Sequence, residues 1–147
     1  MTCQSEGMVI VRDDGFHDDD LVTCEYLSPE TLLAGVEWPV CLDIDSTQNP
    51  DILVASFCWI FAISIPFPDF TDGRGFSLAT RLRQLGYDGR LRATGHLIAD
   101  QYRLARQSGF DEVAIHPWMA ERQPEHQWTA QAGRTVRSYQ RRLLRAV

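Results

Sequence analysis

The run Thr71-Asp72-Gly73-Arg74-Gly75-Phe76-Ser77 sets an arginine between two glycines. Glycine lets backbone approach a ligand closely, and arginine offers a planar, charge-assisted fork of donors. A helix beginning at this point would add N–H groups that have no partner within the helix. Gly73, Arg74, Gly75 and Ser77 are therefore predicted to bind an oxyanion: sulfate, sulfite, phosphate or a carboxylate. The run is neither a Walker loop nor a G-x-G-x-x-G fingerprint, so a plain turn with Arg74 paired to Asp72 or Asp100 competes with this reading.

Acid–base groups stand at Asp72, His96 and Asp100, with His116 able to join them if consecutive parallel strands end on one edge. The run His17-Asp18-Asp19-Asp20 has the donors for a hard cation but not the spacing of a calcium loop, and a solvated acidic loop is expected. Cysteines at 3, 24, 41 and 58 form no C-x-x-C pair and no zinc-type spacing with histidine, so no metal site is predicted. Cys41 and Cys58 lie in apolar segments and read as core. Arg134, Arg137 and Arg141 recur at helical spacing near the C-terminus. They predict a basic stripe, either solvated or docking an acidic partner.

These residues need elements to position them. A strand over Met8–Val11 and a turn at Asp13–Gly15 predict a peripheral N-terminal hairpin, and Ser28-Pro29-Glu30 reads as a helix start. Strand 39–44, a short helix at 51–57 and an apolar strand at 59–65 follow. The apolar stretch 52–67 is expected to be interior, since it is too short to span a membrane. From residue 59 the pattern is regular: strand 59–65, helix from Phe76 to Leu85, strand 90–94, helix 97–108, strand 112–115. A last helix over 125–144 would pack through Trp128, Val136 and Tyr139. The fold predicted is α/β, one domain spanning 1–147: a peripheral segment 1–38, a β-α-β-α-β core at about 39–116 and the C-terminal helix. Its mainly parallel sheet has either half-barrel or doubly wound order, and the strand C-termini share one edge.

Composition narrows the chemistry. The chain has 147 residues, 44% of them apolar and 23% charged, which suits one soluble domain. All 14 basic residues are arginine, which excludes a pyridoxal Schiff base, a P-loop lysine and a lysine general base. Residues 1–72 hold 14 acidic groups and one arginine, a balance of −13, whereas residues 73–147 hold 13 arginines and 6 acidic groups, a balance of +7. The two halves can neutralise each other within the fold, or one can present a charged patch. Aromatics do not alternate with the arginines, so no nucleic-acid partner is expected. No dinucleotide loop or activated cysteine pair is visible, and no cofactor is predicted. The N-terminus lacks a secretory pattern, so a cytoplasmic location with reduced thiols is expected.

The stretch Phe67–Ser77, with Leu82-Arg83, Leu91-Arg92-Ala93-Thr94-Gly95, Asp100-Gln101 and Gly109-Phe110-Asp111, resembles the bacterial domain of unknown function family 934. The likeness is specific over residues 59–115, and Tyr139-Gln140 resembles the aromatic–glutamine ending of the family's last helix. Gln107-Ser108 departs from the Arg-Cys usual there, which removes any thiol role at that position. The family is usually encoded beside assimilatory sulfite reductase and is often labelled an oxidoreductase of sulfite reduction. The resemblance therefore implies an accessory protein of sulfur assimilation, binding an oxyanion or docking on sulfite reductase or another enzyme of that pathway. The residues also fit a small enzyme, with Arg74 as anchor and Asp72, His96 or Asp100 as acid or base. A third reading is a structural subunit that completes a larger barrel or sheet.

Overall fold

A computed structural model describes residues 7–21, 24, 26–29 and 40–132 of the chain. Strands β1 (Val9–Arg12), β2 (Gly15–Asp18), β3 (Tyr26–Leu27) and β4 (Val40–Asp43) lead into a 3-10 helix, Pro50–Trp59. Strand β5 (Ile60–Phe67), helix α1 (Arg74–Gln84) and β6 (Arg90–Gly95) follow. A 3-10 turn, Ala99–Gln101, then opens α2 (Tyr102–Ser108), and β7 (Glu112–Ile115), α3 (Pro117–Arg122) and α4 (Glu125–Ala132) complete the described chain. The helix expected from Ser28 and the basic stripe at Arg134, Arg137 and Arg141 fall mostly or wholly outside these residues.

All seven strands form one sheet in the order β2-β1-β7-β6-β5-β4-β3. Strands β3 to β7 run parallel, each beside its predecessor, whereas β1 pairs antiparallel with both β2 and β7. The sequential order decides for the half-barrel arrangement over the doubly wound one, which requires a reversal. Right-handed crossovers in a sequential sheet place the connecting helices on one face. There Leu42, Ile63, Ile65, Leu91, Ala93 and Val113 pack against Phe76, Ala79, Leu82, Tyr102, Ala105 and Trp128 as one core. The hairpin is more than peripheral, because Ile10 and Val11 are fully buried where β1 extends the sheet. Edge strand β2 is covered in turn, as Phe16 N–H donates to Glu125 of α4 at 2.9 Å.

Close packing explains one glycine of the predicted anion loop. A Cβ on Gly75 would be driven into the Phe67 ring, while one on Gly73 would meet nothing nearer than Phe76 at 4.0 Å. Gly75 thus lets α1 lie against β5. Gly75→Ala should cost about 1–3 kcal/mol by overpacking, with Gly73→Ala near neutral in urea unfolding.

Two expectations are corrected. Cys58 is exposed, and so are Ile52, Val54, Trp59 and Phe61 of the stretch expected to be interior. The 3-10 helix fully buries Leu53 and half-buries Phe57 against Tyr87, and leaves most of its other residues to solvent. The acidic loop is only partly solvated: Asp18 and Asp20 are exposed, whereas the Asp19 side chain is buried. Asp19 and Asp20 lie over the sheet face opposite the helices, where Arg92 is only 2% exposed. Arg92 reaches Asp19 at 2.9 Å, Glu112 at 3.3 Å and Asp20 at 3.4 Å, while Arg12 joins Glu112 and Asp20, and Arg90 joins Asp20. Buried charge survives only when paired in this way. Elsewhere Arg83 donates to the carbonyls of Tyr87, Gly89 and Gly109 and pairs with Asp111, and Arg106 pairs with Asp13. Much of the charge split is neutralised inside the fold.

Candidate functional site

The end of β5, the start of α1, and the ends of β6 and β7 meet on one edge, as sequential parallel strands require. Within that edge the predicted residues separate into two places. Arg74 turns back on Asp72: its Nη2 and Nε donate to the carboxylate at 2.8 and 3.0 Å, and its backbone N–H donates at 3.1 Å. These bonds hold the Asp72 carboxyl down at about 2. Ser77 is exposed, and Gly75 is used in packing. Asp100 is exposed in the 3-10 turn and accepts a 3.4 Å bond from Gln131.

His96 is placed elsewhere, beside His116. The two imidazole centroids are 6.0 Å apart, and His116 lies parallel to Trp118 with 10° between planes and 6.2 Å between centroids. His96 also approaches Trp118 at 6.0 Å. His96 and Trp118 border a cleft of about 640 Å³, whose walls also include Phe70, Ile98, Met119 and Arg122; His116 does not line it. Neither Arg74, Asp72 nor Asp100 lines it. Arg122 has no ion pair among the described residues, in contrast to Arg83, Arg90 and Arg92. A second hollow, of about 480 Å³, lies at the opposite edge, but its Arg90 and Asp111 are already paired with Asp20 and Arg83.

The cleft is shaped by backbone that cannot easily move. Gly95 ends β6 at φ +116°, and a Cβ there would lie 2.7 Å from the Phe67 carbonyl oxygen, which accepts the His96 N–H at 3.0 Å. Any other residue would be strained and would push β6 from β5 directly beneath His96. Opposite, Gln123 accepts the Ala99 N–H, its carbonyl accepts the Trp128 indole N–H at 2.9 Å, and Gln101 donates to the Phe70 carbonyl. Phe70, Trp118 and Arg122 were not identified from sequence. The available signal was position, since Trp118 follows the end of β7 by three residues and ligand sites favour strand C-termini.

Asp43, at the end of β4 and in register with Ser64, is half-buried, and its carboxylate has no hydrogen-bond partner among the described residues. Burial, then the charge of Asp45, raises its carboxyl above the usual range. A raised carboxyl contributes stability below its unfolded value of about 4 and loses it as pH rises through the folded value. Asp43→Asn should therefore be more stable than the parent at pH 7, with the difference closing below about pH 4. Urea titrations at the two pH values would reveal the opposite sign if Asp43 holds a stabilising contact.

Among the described residues no helix is long and apolar enough to cross a membrane, and no group of three or more His, Cys, Asp or Glu is placed to hold a metal ion. Fold and site together define an α/β domain with a sequential, mostly parallel sheet and a ligand-sized cleft at its C-terminal edge. The chain belongs to a bacterial protein family of unknown function, DUF934, whose model matches residues 41–146. Neither a curated protein nor a solved structure matches the chain.

Proposed function

We propose that this protein is an accessory factor of assimilatory sulfite reduction that holds a small anion in the cleft between His96 and Arg122, working beside sulfite reductase or another sulfur-assimilation enzyme. The observation that carries the ligand site is an exposed arginine, Arg122, in a cleft of about 640 Å³ with no ion pair among the described residues, where Arg83, Arg92 and Arg106 are paired internally. Pathway membership is supported by the family resemblance. The Gly73–Ser77 turn is the weaker anion site, because a ligand there must displace Asp72 from Arg74. The enzymatic reading would shift to His96 and Asp69, the acid–base groups that line the cleft, with His116 beside His96, rather than to Asp72 or Asp100.

A strain lacking the gene should grow poorly on sulfate and normally on cysteine. The wild-type gene should restore growth, and one encoding Arg122→Gln should not. Undiminished growth of the deletion strain on sulfate would sink the pathway assignment, and full rescue by Arg122→Gln would sink the cleft.

A further inference from the structure

We infer that the cleft takes a flat heteroaromatic anion of the nucleoside monophosphate class, with its ring against Trp118 or Phe70 and its anionic group at Arg122 and His96. The inference rests on the cleft being the ligand site. Size argues first. A volume of about 640 Å³ lies within the range of roughly 300–1,000 Å³ that holds organic ligands, far more than an inorganic oxyanion fills.

The aromatic residues argue next. Phe67, Tyr102, Phe110 and Trp128 are at most 2% exposed, whereas Phe70 is 52% and Trp118 43% exposed, and both line this cleft. They come from different elements, the loop after β5 and the first turn of α3. Trp59 and Phe61 are as exposed, but of these four rings only Phe70 and Trp118 share this cleft, where a ligand could recover the burial they forgo. The parallel contact with His116 fixes the indole plane, so a ligand ring would meet a platform already oriented.

Charge supplies the remaining selectivity. The Arg122 guanidinium matches a phosphate or carboxylate through two parallel bonds. Asp69, the carboxylate on the cleft wall, accepts the Thr71 N–H at 3.2 Å, so part of its acceptor capacity is already used. Gln123 accepts through its Oε1 from Ala99, which leaves its amide N–H groups to donate. A flat ring bearing acceptors, joined to a compact dianion, suits Arg122 and the Gln123 amide at once, while a ring amino group would give Asp69 a donor.

The test titrates the full chain with AMP, adenosine, ribose 5-phosphate and inorganic phosphate by calorimetry, then repeats it with Trp118→Leu and Arg122→Gln. Both side chains are exposed, and circular dichroism checks that the variants fold. AMP should bind about tenfold or more tighter than ribose 5-phosphate. Trp118→Leu should remove most of that advantage and leave ribose 5-phosphate unchanged. Arg122→Gln should weaken AMP and spare adenosine. Equal binding of AMP and ribose 5-phosphate, both lost in Arg122→Gln and neither altered in Trp118→Leu, would overturn the ring while the anion cleft stands. Absence of saturable binding of all four probes at millimolar concentration would overturn the nucleotide class and remove support from the cleft itself.

Discussion

Arg92→Ala should lower folding stability by about 3–5 kcal/mol, the cost expected when one partner of a buried ion network is removed. Arg92 is 2% exposed, and its deletion would strand Asp19 at 4% exposure and leave Glu112, at 1%, with Arg12 and Arg90 alone. An ordinary domain has only about 5–15 kcal/mol in total, so the variant would be near the edge of folding. The penalty belongs to the buried carboxylates left short of partners, Asp19 above all, more than to the worth of the pair. Arg92→Met combined with Glu112→Leu and Asp19→Asn should therefore recover much of the loss. Urea unfolding of both variants at pH 7 checks this, and an Arg92→Ala loss under about 1 kcal/mol would mean that water reaches the network.

The same network sets an acid limit. Burial pushes the Asp20 carboxyl up, but Arg90, Arg12 and Arg92 outweigh it, and the net shift is downward. A lowered carboxyl stabilises the fold above its unfolded value of about 4, and that contribution is lost as pH falls through the folded value. Acid unfolding below about pH 4 should accordingly be blunted in Asp20→Asn, and added salt should reduce the effect because Asp20 is 45% exposed.

Trp128→Ala is expected to cost about 3–5 kcal/mol, in the range for emptying a core aromatic site. Trp128 is fully buried, meets Tyr102 edge-on at 6.0 Å and holds the Gln123 carbonyl through its indole N–H. Through Gln123 it anchors the end of α3, and with it the Arg122 side of the cleft. Trp128→Phe keeps most of the packing and drops the hydrogen bond, so about 1–2 kcal/mol should go. Its ligand affinity should fall further than its stability explains. Thermal unfolding beside calorimetric titration separates the two effects, and unchanged affinity in Trp128→Phe would show that the cleft wall does not depend on this bond.

Local patterns exposed the strand–helix alternation after residue 59 because each element there closes on a glycine or a turn and carries a regular apolar face. Phe76, Ala79 and Leu82 are buried as their spacing requires. Uniformly apolar segments carried less information. Between Ile52 and Phe61 no period distinguishes inside from outside, so the exposure of Cys58 and Trp59 could not be read there. Burial of Arg92 was equally hidden. Hydropathy assigns arginine to the surface, and the carboxylates that make its burial tolerable, Asp19 and Asp20, arrive from more than 70 residues away.

The candidate site divides along the same line. Residue order alone determined that β5, β6 and β7 end on one edge, because short right-handed crossovers between neighbouring strands leave no other arrangement, and it thereby brought His96 and His116 together. Only the tertiary structure decided which groups on that edge remain free. Arg74 has a carboxylate two residues away and takes it, whereas Arg122 forms no ion pair with any described residue, although Asp69 lines the same cleft. An ion pair is settled by distance and burial in three dimensions, and spacing along the chain measures neither.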